Sequence, residues 1–316
     1  MDNSEIIRQG FEEAQRVVDN TTSYLCRAMS LVNDNERVSA FNVMYSIMRI
    51  VDNIVDERED SSKETLERVR KEVESWEEIV NRVYTDNPEQ TPISLALLDV
   101  LSKFKIPKEI WDDFFESMRR DLGEVSFETF SDFKRYCRGA TCSPTIIYLF
   151  ILLSKKSGEI YKLDNFDYLS AGRNLGTWAY IVHILRDIKK DVDNSLFYLP
   201  KEELGKFNLT PDDLLLFSKT ENCNEKYEDF LEHYLGVAQS YHDKSISETE
   251  DYLKEVPLDR SVAVLGVIRL YEEISRRLLT IKGEIFSGSK PLSKEESQEI
   301  VKNLMLELKK REHGKN

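Results

Sequence analysis

Glycine and proline are scarce in this chain. Twelve Gly and eight Pro fill about 6% of 316 residues, roughly half the usual share. With so few turn formers and so much Glu, Lys and Leu, the sequence points to long helices. Positive charge is in deficit, 44 Lys and Arg against 58 Asp and Glu for a net −14. That excludes nucleic acid as a partner, because phosphates need a basic face. Cysteine is limited to positions 26, 137, 142 and 223, with no C-x-x-C pair. The spacing gives neither a disulfide frame nor a zinc site and suits a reducing compartment. Apolar runs stay short of the roughly 18–20 residues of a membrane span, the best candidate being Ser143 to Ser154. The acidic, polar N-terminus does not read as a signal peptide. A cytoplasmic protein is expected.

What is present is helical periodicity almost throughout. It predicts helices at about 3–19, 35–58, 63–84, 91–104, 107–122, 129–155, 166–192, 222–255, 258–286 and 293–312. Breaks are expected at Asn33 to Asn35, Asn87-Pro88, Pro107, Pro200, Thr210-Pro211, Pro257 and Gly288 to Pro291. Thr210 reads as an N-cap with proline in the first turn. Pro144 should kink or split the helix that contains it. No stretch alternates with period two for more than a few residues. There is no repeat, linker or low-complexity tract, so residues 1–316 are expected to form a single all-α domain.

Two of these helices carry chemistry. Arg49, Asp52 and Asp56 are spaced three and four apart and share one helix face. Their neighbours, Val43, Met44, Ile47, Met48, Ile50, Val51, Ile54 and Val55, make the rest of the helix apolar, as befits the middle of a bundle. Gly176, Tyr180, His183, Asp187 and Asp191 form a second such stripe, flanked by Leu175, Trp178, Ala179, Ile181, Val182, Ile184, Leu185 and Ile188. Buried carboxylates without partners would cost many kcal/mol. They call for a cation, and hard oxygen ligands suit Mg²⁺. The plain alternative is a solvated helix face, since an acidic chain repeats Asp-x-x-x-Asp by chance, as at Asp56 and Asp60. Two pairs far apart in sequence, each in apolar surroundings, weigh against it. No Glu-x-x-His, H-E-x-x-H, P-loop, G-x-S-x-G or G-x-G-x-x-G occurs. Paired carboxylates on apolar helices then suggest Mg²⁺ clamping a diphosphate on an apolar substrate.

The stretch Tyr45-Ser-Ile-Met-Arg49-Ile-Val-Asp52-Asn53-Ile-Val-Asp56-Glu57 resembles the first aspartate motif of the squalene/phytoene synthase family. His183-Ile-Leu-Arg186-Asp187-Ile-Lys-Lys-Asp191, followed by Tyr198-Leu-Pro200, resembles the second. Lys201 to Leu204, Leu209 to Asp213, Phe127 to Gly139, Pro257, Arg260 and Tyr271 extend the likeness over about residues 20–285. The resemblance implies an isoprenoid-synthase helical bundle around a central apolar cavity. It implies head-to-head joining of two prenyl diphosphates (farnesyl or geranylgeranyl) through a cyclopropyl diphosphate, to a squalene- or phytoene-like product. Asp52 and Asp56 would bind Mg²⁺ for one diphosphate, and Asp187 and Asp191 for the other. Arg49 and Tyr45 would contact diphosphate oxygens, and Tyr136 would line the chamber. Tyr180, His183 and Lys190 fall on the substrate side of the second motif. Ser23, before Tyr24, matches the family's early serine. For Tyr45 and Tyr136 the plain alternative is a core tyrosine, and for Ser23 an N-cap. NADPH stays open as a cofactor, because squalene-type members reduce their intermediate without a dinucleotide fingerprint. The lipid product and the basic stretch Lys309 to Lys315 would allow peripheral contact with a membrane.

Several positions depart from the family pattern. Asn53 replaces an aspartate, and His183 replaces the asparagine that helps to hold Mg²⁺. The usual arginines after the second motif are missing from Asp191-Val-Asp193-Asn-Ser-Leu196. Lys189 and Lys190 lie within a turn, but a lysine is a point charge rather than a bidentate fork. Two other functions therefore compete with coupling: a terpene-cyclase-like reaction on one diphosphate, and a non-catalytic scaffold. Loss of the arginines favours the scaffold, and retention of all four aspartates opposes it. Imidazole is a poor ligand for Mg²⁺, so His183 is expected to donate a hydrogen bond to diphosphate or to a motif carboxylate. His183→Asn should then keep Mg²⁺-dependent turnover. A metal-bound crystal structure with an imidazole nitrogen at bonding distance from Mg²⁺ would contradict this.

Overall fold

The computed structural model describes residues 3–123, 125–288 and 292–313. In chain order the helices are α1 (Asn3–Asp19), α2 (Tyr24–Met29), α3 (Asn35–Asp56), α4 (Lys63–Tyr84), α5 (Pro92–Phe104), α6 (Glu109–Arg120), α7 (Phe130–Cys137) and α8 (Ser143–Leu153). They continue as α9 (Tyr168–Arg186), α10 (Ile188–Asp193), α11 (Lys201–Gly205), α12 (Pro211–Thr220), α13 (Glu225–Glu255), α14 (Leu258–Ile281) and α15 (Lys294–His313). The expected all-α architecture is observed. The one sheet among the described residues is a short antiparallel hairpin, β1 (Lys155–Ser157) and β2 (Ile160–Lys162). Of the expected break at Gly288 to Pro291, only Gly288 lies within the described residues, and the end of the basic tail lies outside them.

Local chemistry sets the helix boundaries. The Asp34 side chain accepts from the Arg37 N–H and caps α3. Thr210 and Asp213 form a reciprocal capping box ahead of Pro211, as the sequence suggests. Between α7 and α8, Arg138–Cys142 form a single π-helical turn. Pro144 cannot donate to the carbonyl four residues back and would clash with it, and the wider turn absorbs that defect. Ser143 Oγ donates to Arg138 O at 2.9 Å, and Thr145 Oγ1 to Thr141 O at 2.8 Å. Those hydroxyls satisfy carbonyls in the distorted turn. Counting the preceding turns, Phe130–Leu153 is long and apolar enough by composition to cross a membrane, although the expectation was of no such stretch. Its most apolar part is 78% buried inside the protein, so here it serves as a core helix.

α8 is buried on all sides and forms the axis of the bundle. α3 and α9 both pack against it. α1 and α5 cover α3 on the outside, and α13 and α14 cover α9. Arg37, 3% exposed, fastens the start of α3 to the end of α8 through Ser154 Oγ and O at 3.0 and 2.9 Å and through Ile151 O. Two glycines allow the closest approaches around the π turn. A Cβ on Gly139 would lie 2.0 Å from Asp113 O on α6, and one on Gly176 would lie 2.8 Å from Cys142 Cα. Gly139→Ala should therefore destabilise the protein by about 1–3 kcal/mol. Gly236→Ala in α13, where the Cβ meets open space, should be neutral or stabilising, by up to about 1 kcal/mol. Thermal melts of the two variants check the pair.

Candidate active site

The walls of α3 and α9 enclose a cavity of about 730 Å³. Tyr45, Arg49, Asp52 and Asp56 line it from α3; Tyr180, His183, Arg186 and Asp187 line it from the α9 side. Pro144, Tyr148, Leu175, Trp178 and Val267 form its apolar interior. A second cavity of about 560 Å³ adjoins it, and the two share Asp56, Asp187, His183 and Lys190. Asp191 lines only this outer cavity, together with Arg58 and Asn194. Both sequence stripes thus converge on one continuous space. Tyr136 and Ser23 border the inner cavity as well. Ser23 occupies the N-cap position of α2, but its side chain makes no capping bond.

The carboxylates do not share one electrostatic state. Burial, with the charge of Asp56 added, pushes Asp52 up to about 6 against the pull of Arg49, whose Nη1 donates to Oδ2 at 2.6 Å. Burial also raises Asp56. Burial and the charge of Asp187 push Asp191 up to about 7. Asp187 behaves differently. Burial alone would raise it, but Arg186 donates two bonds to it, at 2.7 and 2.6 Å, and His183 Nε2 lies 2.9 Å from Oδ2. Together they hold its carboxyl far below the usual range. The sequence suggests four equally crowded aspartates. One of them instead has a built-in cation, and His183 bonds to a motif carboxylate.

The helix expected over 166–192 ends at Arg186 and restarts at Ile188, with Asp187 between them. Within α10 the two adjacent lysines point about 100° apart. Lys190 lines both cavities. Lys189 Nζ donates to Ser218 O at 3.1 Å, and Asp193 accepts from Ser218 Oγ, so this pair faces α12. Of the two lysines, Lys190 is the one that lines the cavities. Asn53 lies away from the cavity, and its Oδ1 is buried without a partner. A carboxylate there would add an unpaired buried charge.

Sequence reasoning missed Asp121. It follows α6 within Arg119-Arg120-Asp121, which reads as an ordinary solvated charge run. In the fold it lines both cavities. Its Oδ2 accepts from the Tyr136 hydroxyl at 3.0 Å, and its Oδ1 is buried without a partner. Around Tyr136 stand Phe127, Tyr180 and Tyr198, with ring centroids 5.2, 6.0 and 6.1 Å away. Rings so placed present negative faces suited to a cation.

The squalene/phytoene synthase family model matches residues 19–296. The chain belongs to that family. It is a squalene/phytoene synthase-like prenyltransferase, in a family of head-to-head prenyl condensation enzymes. Among curated relatives, the 4,4'-diapophytoene synthase of Staphylococcus haemolyticus is 21% identical over 274 residues, 87% of either chain. The 15-cis-phytoene synthase of Synechococcus elongatus is 24% identical over 205 residues, 64% of either chain. Among solved structures, a dehydrosqualene synthase in complex with ligand aligns with a TM-score of 0.77 at 17% identity, over 98% of this chain and 100% of that one. The squalene synthase HpnC from Alicyclobacillus acidocaldarius gives 0.67 at 20%, over 89% and 93%. At these identities the structures support the isoprenoid-synthase fold rather than any particular substrate.

Squalene/phytoene synthases are typically Mg²⁺-dependent. Among the described residues, no group of three or more His, Cys, Asp or Glu could hold a metal unaided. Mg²⁺ binds through one or two carboxylates and completes its shell with phosphate oxygens and water, and carboxylates of this kind line the two cavities. The donors present are all carboxylate oxygens, and the unpaired Asp121 Oδ1 adds one more.

Asp121 also gives a stability prediction. Burial pushes it up to about 7 and the charges of Asp56 and Asp52 add to this, while Tyr136 and Arg58 oppose it. Unfolded, it would titrate near 3.8. Between those values the folded form holds more protons, so the contribution to stability falls as pH rises from about 4 to about 7. Asp121→Asn removes that loss. In chelator, its melting temperature should match wild type near pH 4 and exceed it increasingly up to pH 8. A difference that is flat or negative would contradict this.

Proposed function

We propose that this prenyltransferase joins two molecules of farnesyl or geranylgeranyl diphosphate head to head, through a cyclopropyl diphosphate, to a squalene- or phytoene-like product. The observation that carries the reading is the convergence of Asp52, Asp56 and Asp187, from separate helices, on one cavity with an aromatic and apolar interior, with Asp191 in the cavity that adjoins it. Asp52 and Asp56 would hold Mg²⁺ for one diphosphate, and Asp187 and Asp191 for the other. Bound there, Mg²⁺ would neutralise the leaving diphosphate as the carbon–oxygen bond breaks. Arg49 and Lys190 add positive charge on opposite walls. The buried ring of Trp178 and the side chains of Leu175 and Pro144 keep water from the allylic cation. Ser23, Tyr45, Tyr180 and His183 complete the substrate contacts in this reading. Because the product is a lipid, loose association of a cytoplasmic protein with a membrane surface belongs to the same reading.

One observation favours a second reading. Asp187 is already neutralised by Arg186, which leaves the first aspartate pair as the more open metal site. An enzyme with one working pair would ionise one diphosphate and cyclise or hydrate the chain. Incubation with farnesyl or geranylgeranyl diphosphate, with and without Mg²⁺ and NADPH, separates the two. Coupling predicts Mg²⁺-dependent diphosphate release and a hydrocarbon of twice the substrate's carbon count. Asp52→Asn and Asp191→Asn should each lower release by about 10²-fold or more. If Asp191→Asn leaves release intact and only single-chain products form, the second reading replaces the first. No release from wild type would sink both.

A further inference from the structure

Beside the inner cavity runs a groove that takes nothing from either aspartate stripe. It lies between α2, α14 and α15 and holds about 410 Å³, within the roughly 300–1,000 Å³ of small-molecule sites. Ala28 and Leu31 line it from α2 and the turn that follows, Val267 and Leu270 from α14, and Val301 and Met305 from α15. Its walls are therefore mostly apolar. Tyr24, Arg27, Val267 and Ser297 border both the groove and the inner cavity, so a single layer of side chains divides them. Tyr24 is the largest of the four, half-buried, with its ring edge-on to Tyr271 at 5.7 Å between centroids. Gly266 keeps the groove open. A Cβ there would lie 3.6 Å from Val301 Cγ2 on α15, so a methyl group fits at ordinary contact and anything longer fills the space.

The two openings differ in chemistry. Arg58, Asp60, Lys190, Asp191 and Asn194 border the outer cavity, which suits entry of a charged diphosphate. A hydrocarbon leaving that way would strip water from those side chains and give them no hydrogen bond in return. Along the groove it meets apolar wall instead, where contact is favourable. We propose that the groove is the exit site for the apolar product; this rests on the head-to-head reading above. The product crosses the layer at Tyr24, whose ring turns to a second rotamer, lies between α14 and α15, and passes to a lipid bilayer. Arg27 and Lys302 are exposed at the edge of the groove, where they meet anionic headgroups. Substrate and product then use separate mouths of opposite polarity.

The test follows tritiated farnesyl diphosphate with Mg²⁺ on the full chain, beside vesicles of phosphatidylcholine and phosphatidylglycerol. Gly266→Leu and Met305→Trp plug the groove from α14 and from α15, Gly266→Ala is the control, and thermal melts check folding. Chemistry precedes exit, so both plugged variants should form coupled product in a single turnover at the wild-type rate. Their steady-state turnover should fall about tenfold or more, because release becomes the slow step. The product should stay with the protein instead of reaching the vesicles. Gly266→Ala should behave as wild type. Plugged variants that hand product to the vesicles as fast as a coupling wild type overturn the exit and leave the head-to-head reading intact. A slower single turnover overturns it too, since the groove would then belong to the reaction chamber. If Gly266→Leu fails to fold, Met305→Trp decides alone by the same ratio. A wild type that releases diphosphate and forms only single-chain alcohol overturns the head-to-head reading, and retention of that alcohol by the plugged variants then decides the exit. No diphosphate release from wild type overturns both.

Discussion

The structure depends on a repulsion that it does not relieve. Asp52, Asp56, Asp121 and Asp191 are all raised by burial, and their charges act on one another. Like charges in an enclosed space repel by several kcal/mol at an intermediate effective dielectric. The apolar packing of α3, α8 and α9 offsets that cost. A site held open in this way is ready for polyvalent positive charge, and binding restores what the free protein forgoes.

Within this crowd, the Arg186–Asp187 pair makes the two halves of the site unlike. On α3, Asp52 has Arg49 at hydrogen-bond distance, while Asp56 feels Arg49, Arg58 and Lys190 through charge, and Asp191 has Lys190 nearby. Asp187 has two donors from Arg186 and one from His183. Any cation reaching Asp187 must compete with a guanidinium or share its carboxylate. The two aspartate pairs therefore start from different electrostatics.

Much of this was legible in the sequence. The helical period, the break ahead of α3, the Thr210 cap and the disruption by Pro144 all arise from local chemistry, and local chemistry is written in neighbouring residues. The aspartate stripes were legible too, because a helix face is a matter of spacing. What escaped were features that only tertiary packing decides. α2 has six residues and α11 five, too short for a period to show. The β1–β2 hairpin has three-residue strands and turns through Gly158 at φ 63°. The break at Asp187 comes where Arg186 folds back onto its neighbour, an interaction invisible to a pattern of apolar residues. Asp121 looked like one charge among many, and its partner Tyr136 lies on another helix. Lys189 and Lys190 looked equivalent, but as neighbours on one helix they point about 100° apart, one toward α12 and one toward the cavities.

The two tight glycines tie the wall of the cavity to the frame that carries its charges. Gly139 and Gly176 set how closely α6, the π turn and α9 approach, and any side chain there pushes main chain apart. Tyr148 and Trp178 line the same space and are fully buried, Tyr148 against Phe41 on α3 and Trp178 against His242 on α13 and Tyr271 on α14. A change in the wall is therefore also a change in the packing that joins α3 to α8 and α9 to α13 and α14. The shape of the cavity and the placement of its carboxylates are one mechanical property.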